Sequence, residues 1–162
     1  MNWNRLFEMQ KQLDTYIEKN HDLSKTDVFQ EKYLALLVEL GELANETRCF
    51  KFWSTKPRSE KSIILEEYVD VIHFILSLGL EKGFSYETTR DTATAAVTET
   101  EQFNEVFEAA ATYKNNTTSS NYNTLFMKTL QLAEILGFTE EDIQHAYMKK
   151  NEINYERQNQ GY

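Results

Sequence analysis

Cysteine is almost missing: Cys49 is alone in a chain of 162 residues. No intrachain disulfide can form, and a reducing, cytoplasmic setting is the expectation. Helix breakers are scarce too, with one proline (Pro57) and five glycines, so most of the length is free to be helical. Positive charge is in deficit, 17 Lys and Arg against 26 Asp and Glu, for a net charge of -9. That balance argues against nucleic acid or an anionic membrane as a partner. Long apolar runs are missing as well. The stretch near 71–80 is the longest and is interrupted by His73 and Ser77, too short to span a bilayer. The opening "MNWNRLFEMQ" has no basic segment followed by an apolar run, so no signal peptide is expected. No alternating strand pattern and no internal repeat is visible.

What is present is helical periodicity. Trp3, Leu6, Phe7, Leu13 and Ile17 predict an amphipathic helix over 2–19. Residues 28–48 are rich in leucine and predict a mostly buried helix, ended by the break "STKPRSEKS". Residues 63–82 are apolar on nearly every side, the mark of a helix at the centre of a bundle. Periodicity weakens in the Thr- and Ala-rich region 86–113, and "NNTTSSN" at 115–121 reads as a solvated loop. A further helix is expected to stop at Gly137, and Thr139 is expected to cap a last helix opening "TEEDI". The expectation is one domain over 1–162, an all-α bundle of five or six helices.

Acidic residues stand out on the apolar helices. Glu39 and Glu42 are three apart, as are Glu67 and Asp70, so each pair shares a helix face. Should the two helices pack together, the four carboxylates converge. Two carboxylates about 4 Å apart repel by on the order of 4 kcal/mol at an effective dielectric near 20. Such a quartet calls for a cation or for protons. Hard oxygen donors without thiolate or paired imidazole suit Mg²⁺ or Mn²⁺. The plainer reading is that E-x-x-E faces solvent, as it does on many exposed helices. A di-iron bundle is the rival chemistry, because Asp70-x-x-His73 is close to its Glu-x-x-His element; that element is needed twice and occurs once. Gly41, inside the first acidic helix, costs about 1 kcal/mol against alanine and is expected to make room for a close neighbour.

A stripe of opposite charge lies near the C-terminus. Lys150, Asn154 and Arg157 occupy i, i+4 and i+7 of the last helix, which suits a polyphosphate; cations there also simply complement the helix dipole. Phe50, Phe52 and Trp53 in "CFKFWS" offer a stacking surface, although aromatics at this density usually belong to a core. His73 reads as a buried histidine or as a group orienting a ligand. Gln10 and Asp14, at i and i+4, read as surface groups or as readers of base edges.

The segments "LFEMQKQLD", "ELANETRCFKFWS", "EEYVDVIHFILSLGLE" and "KKNEINYERQNQGY", in that order, give the chain a family likeness. E-x-x-E, a gap of 24 residues and then E-x-x-D resembles the metal signature of the all-α NTP pyrophosphatase superfamily. Within it, the four segments together resemble the dimeric dUTPases of phages and bacteria. The resemblance implies a helical homodimer that hydrolyses dUTP, and dUDP, to dUMP with two or three Mg²⁺ ions. It implies Glu39, Glu42, Glu67 and Asp70 as metal ligands and catalytic residues. Lys150, Asn154 and Arg157 take the phosphate-binding place, and Gln10, Trp53, His73 and Phe74 the nucleoside contacts. The family often carries Asn where this chain has Asp14, so no base contact is carried onto that residue. Region 86–138 varies in length among phage members and inherits no function. For a phage-encoded chain the setting is the host cytoplasm. Two alternatives stay open: a related dCTP or house-cleaning pyrophosphatase, and a regulatory module that binds a repressor protein, as the dUTPase fold does in staphylococcal phages.

Overall fold

The computed structural model describes residues 1–23, 26–87 and 97–161. Among them six helices form: α1 (Trp3–Asn20), α2 (Phe29–Thr47), α3 (Lys61–Lys82), α4 (Glu99–Asn115), α5 (Ser119–Leu136) and α6 (Glu140–Asn159). No strand occurs among the described residues. The all-α expectation holds, and the helices expected over 2–19, 28–48 and 63–82 are in place to within two residues at each end.

Local chemistry sets the ends. The Asn2 side chain accepts from the Arg5 N–H at the start of α1, and Thr118 accepts from Asn121 N–H at the start of α5. Thr98 with Glu101 and Thr139 with Asp142 close full capping boxes on α4 and α6. Gly137 ends α5 at φ 76°, in the left-handed region that glycine enters without penalty. The solvated connection is shorter than "NNTTSSN" suggests: Ser119 to Asn121 already form the first turn of α5. The helix expected across 86–113 begins at Glu99 among the described residues; the Thr-rich part at 88–96 lies outside them.

Helix α3 is the axis of the molecule, packing against α1, α2, α5 and α6. Eleven of its residues are buried, among them Tyr68, Val69, Val71, Ile72, Ile75 and Leu76. Beyond its ends and Glu66 this helix shows little to solvent, so its fit depends on shape. Gly79 shows it: a Cβ there would land on the Tyr122 hydroxyl. That hydroxyl donates to the Ile75 carbonyl at 3.0 Å, and Tyr113 Oη donates to the Leu78 carbonyl at 3.3 Å. Buried phenols are thus satisfied by backbone oxygens of the central helix, which holds α4 and α5 against it. No helix among the described residues is long and apolar enough to cross a membrane.

Candidate active site

The polar residues of α3 open on one side, toward α1, α2 and α6. Glu39 from α2 and Glu67 and Asp70 from α3 each offer a carboxylate oxygen, and these oxygens lie within 4.8 Å of one another. All three are half-buried. Glu42, the fourth predicted acid, is exposed and stands outside this cluster, yet close enough for its charge to be felt by Glu39 and Glu67.

Burial and crowding raise the pKa of all three acids. Burial first, then the charges of Asp70, Glu42 and Glu67, push Glu39 up to about 7. Glu67 is raised by burial and by Asp70 and Glu42. Asp70 is also raised, because burial outweighs the help it receives from Lys150. The lysine lies 2.6 Å from Asp70 and 3.1 Å from Glu66. Burial works against the Lys150 charge, but Asp70 and Glu66 together raise its pKa. One ammonium is therefore shared among more negative charge than it can balance. Hard, clustered oxygen donors with excess negative charge fit a small divalent cation.

A cleft of about 540 Å³ runs from this cluster along α1, α3 and α6. Its volume falls within the range of small-molecule sites. Glu39 and Asp70 line one part, Asn154 and Arg157 the α6 side, and Gln10, Asp14, His73, Phe74 and Ser77 the wall between α1 and α3. The structure thus brings Glu39, Glu67, Asp70, the α6 stripe, Gln10, His73 and Phe74 to one place, with Glu42 left outside. Gln10 is buried and Asp14 largely so, not the surface groups that composition suggested.

Trp53 does not join them. It is 64% exposed in the α2–α3 loop, edge-on to Phe52 at 5.0 Å and to Phe50 at 6.0 Å. The loop is held by Arg48, which takes a left-handed φ of 57° and donates to Ser54 Oγ at 2.6 Å and the Lys56 carbonyl at 3.1 Å. Gly41 also departs from expectation: it is exposed, with nothing within 4 Å of where its Cβ would stand. On the same α2 face, Leu34 and Val38 are exposed at 62% and 49%. Among the described residues no neighbour approaches Gly41.

Residues that sequence reasoning passed over complete the cleft. Lys32 sits 2.8 Å from Glu81, 3.4 Å from Glu18 and 3.7 Å from Asp14. Ser77 Oγ donates to Asp14 at 2.5 Å. A signal for Ser77 existed: it lies four residues after His73 on the most apolar helix, the same face by spacing. Lys32 had no such signal, since its partners come from two other helices.

A helical bundle with an acidic cluster and a cationic stripe beside one cleft has the equipment of an enzyme acting on phosphorylated small molecules. The chain belongs to the dUTPase family: the model of a family described as dUTPase matches residues 2–162, essentially the whole chain. Membership makes it a dUTP diphosphatase, a nucleotide pyrophosphohydrolase. No curated protein gives a significant match.

Proposed function

We propose that this chain, as one domain, converts dUTP and dUDP to dUMP, with Mg²⁺ held by Glu39, Glu42, Glu67 and Asp70. The observation that carries the reading is the packing of three half-buried carboxylates within 4.8 Å beside a cleft of nucleotide size. Bound divalent ions supply charge neutralisation of the phosphates and activation of water. The protein's own groups do the rest. Lys150, Asn154 and Arg157 take phosphate oxygens. Gln10, His73 and Phe74 hold the nucleoside. Glu39, a carboxylate at the edge of the cleft, accepts the proton of the attacking water. The water oxygen bonds to the α-phosphorus, the bridging bond to the β-phosphate breaks, and dUTP leaves pyrophosphate behind.

The working unit in this proposal is a cytoplasmic homodimer. Its support is the exposed apolar face of Leu34 and Val38 beside open Gly41, with Phe52 and Trp53 projecting nearby in sequence. Trp53 then contributes to the nucleoside site only through the assembled dimer.

The deciding experiment is a panel of dUTP, dCTP, dTTP and UTP with Mg²⁺, scored for pyrophosphate. Release confined to dUTP supports the reading, and an equal or greater rate with dCTP would redirect it to a dCTP pyrophosphatase.

A further inference from the structure

The wall between α1 and α3 contains a hydrogen-bond chain with a fixed direction. Asp14 Oδ1 accepts from Gln10 Nε2 at 2.7 Å, while its other oxygen accepts from Ser77 Oγ at 2.5 Å and faces Lys32 at 3.7 Å. A carboxylate accepts and does not donate, so the Gln10 amide must turn its NH₂ toward Asp14. Its carbonyl oxygen is then left for His73 Nδ1, at 2.7 Å, and for the Tyr147 hydroxyl, at 2.8 Å. A carbonyl has two lone pairs and no hydrogen, so both groups must donate to it. Tyr147 stacks on the His73 ring at 4.2 Å and 15°, which blocks rotation out of plane. His73 Nε2 has no partner among the described residues.

We infer that Asp14, acting through Gln10, is a positioning residue: it locks His73, a residue lining the cleft, as the Nδ1–H tautomer and leaves Nε2 a buried acceptor with no protein partner among the described residues. A ligand seated in the cleft that reaches that nitrogen has to present an N–H or O–H to it. Burial, followed by the charge of Lys150, pushes His73 down to about 3, so the ring stays neutral and the choice of tautomer is the only freedom it has. The identity of the ligand rests on the nucleotide reading above; the lock itself does not.

An isosteric change inverts the chain. In Asp14→Asn the amide oxygen is drawn to Lys32 and Ser77, and its NH₂ turns to Gln10. Gln10 then presents its oxygen to Asn and its NH₂ to His73, and the ring must move its proton to Nε2.

The test is long-range ¹H–¹⁵N correlation on the ligand-free full chain, labelled at its three histidines, with His73 assigned by difference against His73→Gln. Wild type should show Nδ1–H and Asp14→Asn should show Nε2–H. Ser77→Ala removes one donor but leaves the carboxylate facing Lys32, and it should keep the wild-type pattern. Should Asp14→Asn fail to fold, Gln10→Met reads the same link, because loss of the acceptor at Nδ1 frees the ring to take Nε2–H. In Asp14→Asn, affinity for dUMP should fall about tenfold, since a donor would oppose the ligand's donor. A wild-type ring protonated at Nε2, an Nδ1–H ring in both Asp14→Asn and Gln10→Met, or a switch in Ser77→Ala would overturn the lock. A switched tautomer with unchanged dUMP affinity would overturn the ligand assignment. None of these outcomes depends on turnover, so a wild-type protein inert toward dUTP would sink the nucleotide reading and leave the lock standing or fallen by its own spectra.

Discussion

Glu67 shows how much a single side chain is asked to do. It shares its helix face with Asp70, meets Glu39 from α2, and has its carboxyl raised by burial and by three neighbouring carboxylates. Replacing it by glutamine removes a charge without changing shape, so Glu67→Gln should abolish pyrophosphate release, with helicity by circular dichroism largely unchanged. Near-normal turnover would take Glu67 out of the site. Arg157, exposed on α6 at the rim of the cleft, should behave differently. Arg157→Ala should weaken substrate binding and move the melting temperature little, and equal losses would make it a structural residue. At this scale the sequence shows residue types and spacing well. E-x-x-E and E-x-x-D are visible because three residues on a helix always share a face. That Glu42 points outward, or that Asp14 gathers Ser77 and Lys32, depends on which helices meet, and no local pattern encodes that.

Helices carry a second set of consequences. Gly79 is small because Tyr122 fills the space, so Gly79→Ala should cost about 1–3 kcal/mol by overpacking despite the better helix propensity of alanine. Denaturant unfolding reads this directly, and a neutral or stabilising result would mean α5 is free to shift. Lys150 ties α6 to α3 through Asp70 and Glu66. Lys150→Met leaves Asp70 without its ammonium and should cost about 1–3 kcal/mol, less than a fully dry ion pair because Glu66 stays in solvent. The extents of α1, α2 and α3 were readable because their apolar periods are strong. The start of α4 was not, because threonines crowd positions 88–98 and the true cap, Thr98, is distinguished only by Glu101 three residues on. Similarly, Thr118 caps α5 inside a stretch whose composition reads as loop throughout.

For the molecule as a whole, the acidic cluster ties stability to pH. A glutamate in the unfolded chain titrates near its ordinary 4.5, whereas Glu39 in the fold is raised to about 7. Between these values the folded protein binds more protons than the unfolded one, so this group's contribution falls as pH rises through the window. Without divalent ions the melting temperature should decline over that range, and Glu39→Gln should flatten the slope. A slope identical in both proteins would separate the shift from stability. Helix α3 leads to a last consequence. It carries Glu67 and Asp70, and its carbonyls are gripped by tyrosines from α4 and α5. Native-state hydrogen exchange should find the amides of 71–79 the slowest in the protein, opening only with global unfolding. Helices α1 and α6 are joined to that axis by side-chain pairs along the cleft, Gln10–His73, Asp14–Ser77 and Lys150–Asp70, rather than by bonds to its carbonyls, and should exchange through smaller openings. Warming would then silence the enzyme by detaching its outer walls while the spine that holds its acids is still folded.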